Sequence, residues 1–277
     1  MLIVTWNVNS VRTRIKQIET LIDDLRPDLI CLQETKVVDS LFPDEALKKK
    51  GYTVSYYGQK AYNGVALISR SKLEDIRLGF GDEISNHPDV KLLDQQKRII
   101  SALLDGIRIV NVYVPNGSSI NSEKYDYKVK WLNCLKKYLD SQSKRDEPLC
   151  LLGDFNIALE DKDIHNPEKL SGGIMASVEE RKLLQSLLSE RLIDIFRVFE
   201  QGSSHWSWWD YRSGAWEQDK GWRIDHIYLS NELVNCAKSS TIYKKVRGNI
   251  QPSDHAPVLV DISWPSEESL EDSDFYL

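Results

Sequence analysis

Short apolar runs alternate with amphipathic segments along almost the whole chain, and no other feature of the sequence limits the fold as much. Apolar runs of about four to eight residues indicate buried strands, and apolar residues at helical spacing indicate helices packed on them. The alternation therefore predicts the α/β class. Strands are predicted at residues 2–6, 29–32, 52–57, 65–69, 99–104, 107–114, 149–152, 224–229 and 258–262, and helices at Val11–Leu25, 125–139 and 178–189.

Local signals refine this prediction. Ser10 has the residue type and position of an N-cap for the first helix, and Pro27 follows its end. Residues 99–114 read as a hairpin that turns at Asp105 and Gly106, which indicates antiparallel pairing. We therefore expect two packed mixed β-sheets flanked by helices, in one domain of residues 1–264. The acidic tail of residues 265–277 is expected to be flexible.

The composition is typical of a soluble globular enzyme, with 41% hydrophobic and 28% charged residues among 277. No apolar run approaches the roughly 18 residues of a membrane span. The N-terminus enters a strand directly and lacks the pattern of a signal peptide, so a cytoplasmic monomer without a membrane partner is expected. The four cysteines lie in apolar stretches without a C-x-x-C pair, which favours buried free thiols over a disulfide or zinc site; they are Cys31, Cys134, Cys150 and Cys236.

The net charge of −6 is unusual for a protein that binds nucleic acid, because phosphate binding usually leaves a basic footprint. Much of that charge lies in residues 265–277, which carry five Asp and Glu and no Lys or Arg. The rest of the chain is nearly neutral and can still present a local basic face. Composition alone therefore neither supports nor excludes DNA.

Polar side chains recur where predicted strands begin or end. Each one alone indicates a turn or a helix cap, but together they would gather at one rim of a sheet and form a cleft. Glu34 ends an apolar strand and must be solvated, paired or bound to a cation. Oxygen donors without a Cys/His cluster favour Mg²⁺ or Mn²⁺ over zinc. The polar set comprises Asn7, Glu34, Tyr113, Asn116, Asp154, Asn156, Asp225, Asp254 and His255.

Six segments that contain these residues resemble, in order, the signature blocks of the exonuclease III family of abasic-site endonucleases. This family belongs to the endonuclease/exonuclease/phosphatase superfamily. The blocks span residues 5 to 257, so the resemblance covers nearly the whole chain. They are residues 5–9 (TWNVN), 32–36 (LQETK), 111–116 (NVYVPN), 152–156 (LGDFN), 222–226 (WRIDH) and 253–257 (SDHAP).

The resemblance implies a four-layer α/β sandwich that hydrolyses DNA phosphodiesters. The implied activities are incision at abasic sites, 3′ to 5′ exonuclease and 3′-end cleaning, on double-stranded DNA with abasic sites or blocked 3′ ends. Glu34 would hold Mg²⁺, for which Mn²⁺ can substitute, helped by Asn7 and Asp254. The same superfamily also cleaves RNA tails and phosphoinositides, so these substrates remain an alternative.

The resemblance also implies roles for the remaining polar groups. His255, oriented by Asp225, would contact the phosphate or take a proton from water, and Asp154 is the competing general base. Asn156 and Tyr113 would donate hydrogen bonds to the phosphate oxygens. The sequence does not decide between the two candidate bases.

A Trp-rich segment, residues 205–225, favours DNA as the substrate. It holds five of the eight tryptophans and interleaves them with charged residues, which suits an unstacked sugar or base. The alternative is a core cluster, because tryptophan is usually well buried. The predicted substrate-binding residues of this segment are Trp208 or Trp209, Arg212, Trp222 and Ile224.

Further substrate contacts are predicted outside that segment. Asn116 is expected at the cleft, and Arg12, Tyr62, Asn63 and Arg98 would reach flanking phosphates, with a solvated surface role as the alternative. Ser10 replaces the glycine usual in the family, a change expected to be neutral. Residues 117–121 lack the arginine that some members push into the duplex, which leaves open how DNA is wedged and how endonuclease and exonuclease activity are balanced.

Overall fold

The computed structural model describes residues 1–142, 144–145, 147–189 and 191–264, so the predicted acidic tail lies outside the described residues. Its strands are β1 (Leu2–Asn7), β2 (Leu29–Gln33), β3 (Thr53–Tyr57), β4 (Val65–Ser69), β5 (Glu74–Leu78), β6 (Ile99–Leu104), β7 (Ile107–Tyr113), β8 (Leu149–Asp154), β9 (Leu192–Asp194), β10 (Asp225–Ser230), β11 (Ala237–Ile242) and β12 (Val258–Ile262).

The helices are α1 (Val11–Leu25), α2 (Glu45–Lys49), α3 (Gly81–Ile84), α4 (Val90–Leu93), α5 (Glu123–Gln142), α6 (Pro167–Leu170), α7 (Val178–Leu188), α8 (Ile195–Phe199) and α9 (Asn231–Cys236). Short 3₁₀ turns lie at Asp39–Leu41, Asp161–Asp163 and Lys244–Gly248. None of the helices in the described ranges is long and apolar enough to cross a membrane.

The strands form two six-stranded mixed sheets, in the orders β11-β12-β1-β2-β4-β3 and β5-β6-β7-β8-β10-β9. Strands β1 and β2 pair in parallel, as do β7 and β8, and the other pairs are antiparallel. Each sheet therefore has a parallel pair at its centre. The hairpin of β6 and β7 has the predicted antiparallel register, with Leu104 opposite Ile107.

Alternate side chains of these strands point to opposite faces, and both faces of each sheet are buried. Ile3 and Leu29 of one sheet share a core cluster with Ile109 and Leu152 of the other. On the outer faces, α1 covers the first sheet and α5 with α7 covers the second, each in its own buried cluster. Helix, sheet, sheet and helix thus form four layers, and the predicted fold class is confirmed.

Buried hydrogen bonds link the two sheets within this core. The Gln33 side chain donates to Asn111 Oδ1 at 2.7 Å, and Asn111 Nδ2 donates to the carbonyl oxygens of Leu32 and Ala66 at 3.0 and 3.1 Å. Gln33 and Asn111 are both fully buried. Because buried polar groups must be paired, these bonds fix the position of one sheet on the other.

The strand predictions hold for all nine apolar runs, and α1 has the predicted bounds. Three strands were missed, and all three lie at the edges of sheets. Strands β5 and β11 are largely polar, and β9 is only three residues long. Edge strands lack the continuous apolar run that reveals a buried strand. The cysteines are free as predicted, although Cys236 is only partly buried.

The Ser10 predictions need correction. Ser10 precedes α1, but its side chain makes no capping hydrogen bond, and its backbone has φ 93° and ψ 105°. Its backbone N–H donates to the Glu34 carbonyl at 2.8 Å, so the chain is fastened in this conformation. Because a Cβ atom is unfavourable at such a φ, this geometry predicts a cost in stability for serine, where the sequence predicts a neutral change.

We therefore predict that Ser10→Gly stabilises the protein by about 1 kcal/mol, by relieving this backbone strain. Urea unfolding of the two proteins measures the difference. Ser10→Ala is the matched control: it also loses the hydroxyl but keeps Cβ, so it should gain nothing. Equal stability of Ser10→Gly and Ser10→Ala would contradict the explanation.

Candidate active site

The candidate site lies where the central strands of both sheets end. Asn7 is the last residue of β1, Asp154 is the last of β8, and Asp225 is the first of β10. Strand register places Tyr113 and Asp225 directly opposite Asp154 on either side. Polar residues that are far apart in sequence thus share one rim, as predicted.

His255 is held by Asp225. Its Nδ1 lies 2.8 Å from Asp225 Oδ2, and the same carboxylate oxygen accepts a hydrogen bond from the Ser207 hydroxyl at 2.6 Å. Ser207 in turn accepts from the backbone N–H groups of Ile224 and Asp225, both at 3.1 Å. As predicted, Asp225 rather than the adjacent Asp254 orients His255.

Asp154 lies on the other side of His255, with its Oδ2 3.9 Å from His255 Nε2. It accepts hydrogen bonds from Asn7 Nδ2 at 2.8 Å and from the Asn156 backbone and side chain at 2.9 and 3.2 Å. Burial raises the pKa of Asp154 to about 7, against the opposing effect of the His255 charge. The carboxyl group therefore changes its protonation state near neutral pH.

The carboxylates of Asp225 and Asp154 favour the protonated form of His255. Burial acts to lower the pKa of this imidazole, but the negative charges of Asp225 and Asp154 outweigh it and raise the pKa to about 10. At neutral pH both ring nitrogens then carry protons. By distance alone Asp154, Asp225 and His255 could hold a metal ion, since their ligand atoms lie within 4.8 Å of one another. The positive charge on His255 opposes the binding of a cation there.

Glu34 provides the other carboxylate of the rim. Its Oε1 accepts from Asn7 Nδ2 at 2.9 Å, and its Oε2 lies 2.7 Å from Lys36 Nζ. Burial acts to raise the pKa of Glu34, but the Lys36 charge and the hydrogen bonds from Asn7 and Lys36 together lower it. Glu34 is therefore ionised and available to a cation.

Asn7, which is predicted to help hold the metal, contacts two carboxylates of the rim. Its Nδ2 donates to both Glu34 and Asp154, while its Oδ1 accepts from the Asn9 backbone N–H at 3.0 Å. The side chain thus presents a donor and not an oxygen to the two carboxylates. Asn7 joins the first sheet to Asp154 of the second.

Asp254 lies on the solvent side of His255 and is partly exposed. It accepts from Trp208 Nε1 and Asn9 Nδ2, both at 3.0 Å. Asn9 Oδ1 in turn accepts from Lys36 Nζ at 2.5 Å, so the lysine that pairs with Glu34 also connects to Asp254. Sequence reasoning places Asp254 on the metal side, and this chain of contacts joins it to Glu34.

The asparagine-bearing loops lie next to Asp154. Asn116 Nδ2 donates to Asn156 Oδ1 at 2.9 Å and to Met175 Sδ at 3.3 Å. Tyr113 is partly exposed, and Arg98 lies over its ring at 4.4 Å. Burial and the Glu34 charge raise the pKa of Tyr113 well above its usual value, so the phenol keeps its proton and can donate.

The Trp-rich segment divides between core and surface. Trp206 and Trp209 belong to the core beneath α1, and Trp209 is fully buried. Trp209 is therefore wrong as a pocket residue. Trp208 and Trp222, with the exposed Arg212, line a depression of about 410 Å³, and Ile224 packs behind it in a buried cluster with Trp222.

The four predicted phosphate contacts also divide. Arg12 and Tyr62 are exposed and can contact a ligand; the relative exposure of Tyr62 is 71%. Asn63 and Arg98 are mostly buried, at 8% and 9% exposure, which argues against the alternative of a solvated surface role. Asn63 donates to Gln59 at 3.1 Å, and Arg98 donates to Gln96 at 2.8 Å, so both fasten the loops around the rim.

Three residues of the site were missed by sequence reasoning, namely Ser207, Asn9 and Lys36. Asn9 and Lys36 stand within the blocks TWNVN and LQETK, so their proximity to Asn7 and Glu34 was an available signal. Ser207 carried none, since a serine between two tryptophans is unremarkable until β10 brings Asp225 beside it.

The model of the Endonuclease/Exonuclease/phosphatase family matches residues 4–255, which is most of the chain. The chain belongs to this family. Exodeoxyribonuclease III of Haemophilus influenzae is 35% identical over 270 residues, covering 93% of this chain and 98% of the relative. The predicted resemblance to the exonuclease III family is thereby confirmed.

Solved structures agree with this placement. A 3′ phosphatase from Neisseria, bound to a product DNA hairpin, superposes with a TM-score of 0.89 at 38% identity and covers 95% of this chain and 100% of its own. An AP endonuclease from Archaeoglobus fulgidus superposes with a TM-score of 0.87 at 33% identity and the same coverage.

The two carboxylates around His255 determine how its imidazole should titrate. In the metal-free protein, the His255 imidazole should stay protonated through neutral pH and titrate near 10, as followed by ¹H–¹⁵N NMR of its ring. Asp225→Asn should move the midpoint to lower pH, because it removes the closest negative charge. His226 is an internal reference, since burial lowers its pKa.

Asp254→Asn is the control variant, because the Asp254 charge raises the pKa of His255 less than the charges of Asp225 and Asp154 do. It should move the midpoint less than Asp225→Asn does. A wild-type midpoint in the ordinary histidine range, or equal effects of the two variants, would contradict the assigned geometry.

Proposed function

We propose that this protein is a metal-dependent DNA-repair nuclease. It hydrolyses phosphodiesters at abasic sites and at 3′ ends, with 3′ to 5′ exodeoxyribonuclease and 3′-phosphatase activity. The observation that carries the proposal is the buried Asp225–His255 pair facing Asp154, beside the depression lined by Trp208 and Trp222. The names of its relatives, an exodeoxyribonuclease III, a 3′ phosphatase and an AP endonuclease, support the same chemistry.

The donor set of the rim fits a hard divalent cation. Glu34 is an ionised carboxylate, and Asp254 offers a second, partly exposed one joined to it through Lys36 and Asn9. Carboxylate oxygens are the ligands that Mg²⁺ and Mn²⁺ prefer. Glu34 and Asp254 would hold the ion. When bound, it supplies positive charge to the phosphate and to the leaving oxygen.

Asp154 is the proposed general base. A base must present a lone pair, and its carboxylate provides one when it is deprotonated. His255 has Nδ1 committed to Asp225 and is held as an imidazolium by the two flanking carboxylates. His255 therefore donates a hydrogen bond from its Nε2 N–H to a phosphate oxygen, while Asp154 accepts the proton of the attacking water. The bond from phosphorus to the leaving oxygen breaks as the bond to the water oxygen forms.

Two asparagine amides and the Tyr113 phenol complete the proposed site. Asn7 and Asn156 each direct an amide nitrogen at Asp154 and hold its carboxylate in place. Tyr113 keeps its phenolic proton and can donate it to a phosphate oxygen. Donors fixed before the substrate arrives stabilise the charge that develops on phosphorus oxygens, typically by a few kcal/mol each.

The depression beside His255 suits an extrahelical sugar. Trp208 and Trp222 offer ring surfaces, and the exposed Arg212 and Lys220 offer positive charge for the flanking phosphates. Arg212 is paired with Asp210 at 2.8 Å, and its side chain is 86% exposed, so DNA can displace that contact. Monomeric state and cytoplasmic location stay predictions.

The decisive assay offers three duplexes, one abasic, one ending in a 3′-phosphate and one intact, with Mg²⁺ or EDTA. Wild type should cut the damaged duplexes in Mg²⁺ only. Glu34→Ala and His255→Ala should each lower kcat about 100-fold or more, because metal and imidazolium charge each contribute several kcal/mol. Glu168→Ala, at an exposed acid of α6, is the control and should have no effect.

Damaged DNA left uncut in both Mg²⁺ and Mn²⁺ would overturn the proposal. An RNA strand and a phosphoinositide are included in the same panel. Faster cleavage of either one than of DNA would assign the chemistry to that substrate and leave the metal and histidine roles standing.

A second prediction concerns Arg212. Arg212→Ala should raise KM for abasic duplex about fivefold, leave kcat unchanged and reduce the salt dependence of binding by about one phosphate contact. Lys238→Ala is the control, since Lys238 is exposed at the end of β11 remote from His255. An unchanged salt dependence in Arg212→Ala would show that Arg212 does not contact phosphate.

A further inference from the structure

A fully buried ion pair lies directly behind the candidate active site. Lys128 of α5 and Glu180 of α7 have side chains that are 0% exposed, and Lys128 Nζ is 2.6 Å from Glu180 Oε1. Burying two such charges costs several kcal/mol each, and their attraction often does no more than repay it. The pair is therefore poorly explained by stability alone.

Both partners form their remaining hydrogen bonds with the loops of the site. Lys128 Nζ donates to the Asn156 carbonyl at 2.8 Å and to the Asn116 carbonyl at 3.2 Å. An ammonium has three protons, so each has an acceptor. The two carbonyls belong to the two residues whose side chains bond to each other beside Asp154.

Glu180 fixes the adjoining loop in the same way. Its Oε1 accepts from the Met175 backbone N–H at 3.1 Å, and its Oε2 accepts from the backbone N–H and hydroxyl of Ser177 at 3.0 and 2.7 Å. Met175 Sδ is the second acceptor of the Asn116 side chain. The pair is thus hydrogen-bonded to three loop segments, which meet at Asn116 and Asn156.

The backbone at two of these positions has a positive φ. Asn156 has φ 48°, in the left-handed region, and Gly117 has φ 87°, where a Cβ would lie 3.1 Å from Ile174 Cδ1 and 3.2 Å from Lys128 Cδ. Without the ammonium, the buried Asn156 carbonyl and the partly buried Asn116 carbonyl would lose a charged donor. The loops would then be free to relax toward more favourable backbone conformations.

We propose that Lys128 and Glu180 are positioning residues, which hold the Asn116 and Asn156 amides at the distance from Asp154 that phosphate hydrolysis requires. The inference rests on the proposed function only for its kinetic readout. A displacement of about 1 Å at a reacting group can cost about 100-fold in rate, so the contribution of such a pair can be large.

The test compares variants that separate stability from position. Lys128→Met leaves Glu180 charged and unpaired, whereas Lys128→Met/Glu180→Gln leaves no buried charge and keeps an acceptor for the Ser177 capping box. Arg108→Met is the matched control: Arg108 is 1% exposed and ion-paired with Glu147, but lies at the far end of β7 from Tyr113.

We expect Lys128→Met to lower kcat on a 3′-phosphate duplex by about 10- to 100-fold while changing KM less than about threefold. The double variant should recover thermal stability and keep the low kcat. Arg108→Met should lose stability and keep kcat within about twofold. In ¹⁵N-asparagine-labelled protein, the side-chain amide signals of Asn116 and Asn156 should shift in the two Lys128 variants and not in Arg108→Met.

Wild-type kcat in the double variant, or equal kcat losses in Lys128→Met and Arg108→Met, would overturn the inference. Unshifted asparagine amide signals in a folded Lys128 variant would overturn it as well. If wild type cuts no DNA, the proposed function fails, and the amide signals still decide whether the pair positions the loops.

Discussion

The hydrogen bonds that join the two sheets are the constraint on which the rest of the structure depends. Apolar faces alone would allow the sheets to slide, because the hydrophobic effect has no direction. Gln33 and Asn111 fix their relation in the core, and Asn7 repeats the link at the rim by bonding both Glu34 and Asp154. Because of that link, residues from opposite ends of the chain form one site.

Charge balance governs the chemistry at that rim. Three carboxylates, Asp154, Asp225 and Glu34, surround one imidazole and one ammonium with little solvent between them. As a result the three groups differ in protonation: His255 retains a proton, Asp154 titrates near neutral pH and Glu34 stays ionised. Environment assigns these roles, since the three carboxyl groups differ little as free side chains.

The outer layers also contribute to the site. Helices α5 and α7 pack on the second sheet, and from there Lys128 and Glu180 reach the loops that carry Asn116 and Asn156. The Trp-rich segment acts similarly from the first sheet, with Trp209 buried beneath α1 and Trp208 turned toward Asp254. One short segment thus anchors in the core and lines a surface depression.

The sequence by itself determined the α/β sandwich, the positions of its buried strands along the chain and the identity of the rim residues, because apolar periodicity and short motifs are local. It could not reveal the polar edge strands β5 and β11, whose signal lies in pairing with a neighbour. Only the tertiary structure decided that Asn7 bonds both Glu34 and Asp154, that Ser207 holds Asp225, and that Trp209 is core while Trp208 is not. Those distinctions depend on contacts between residues distant in sequence, and no local pattern records them.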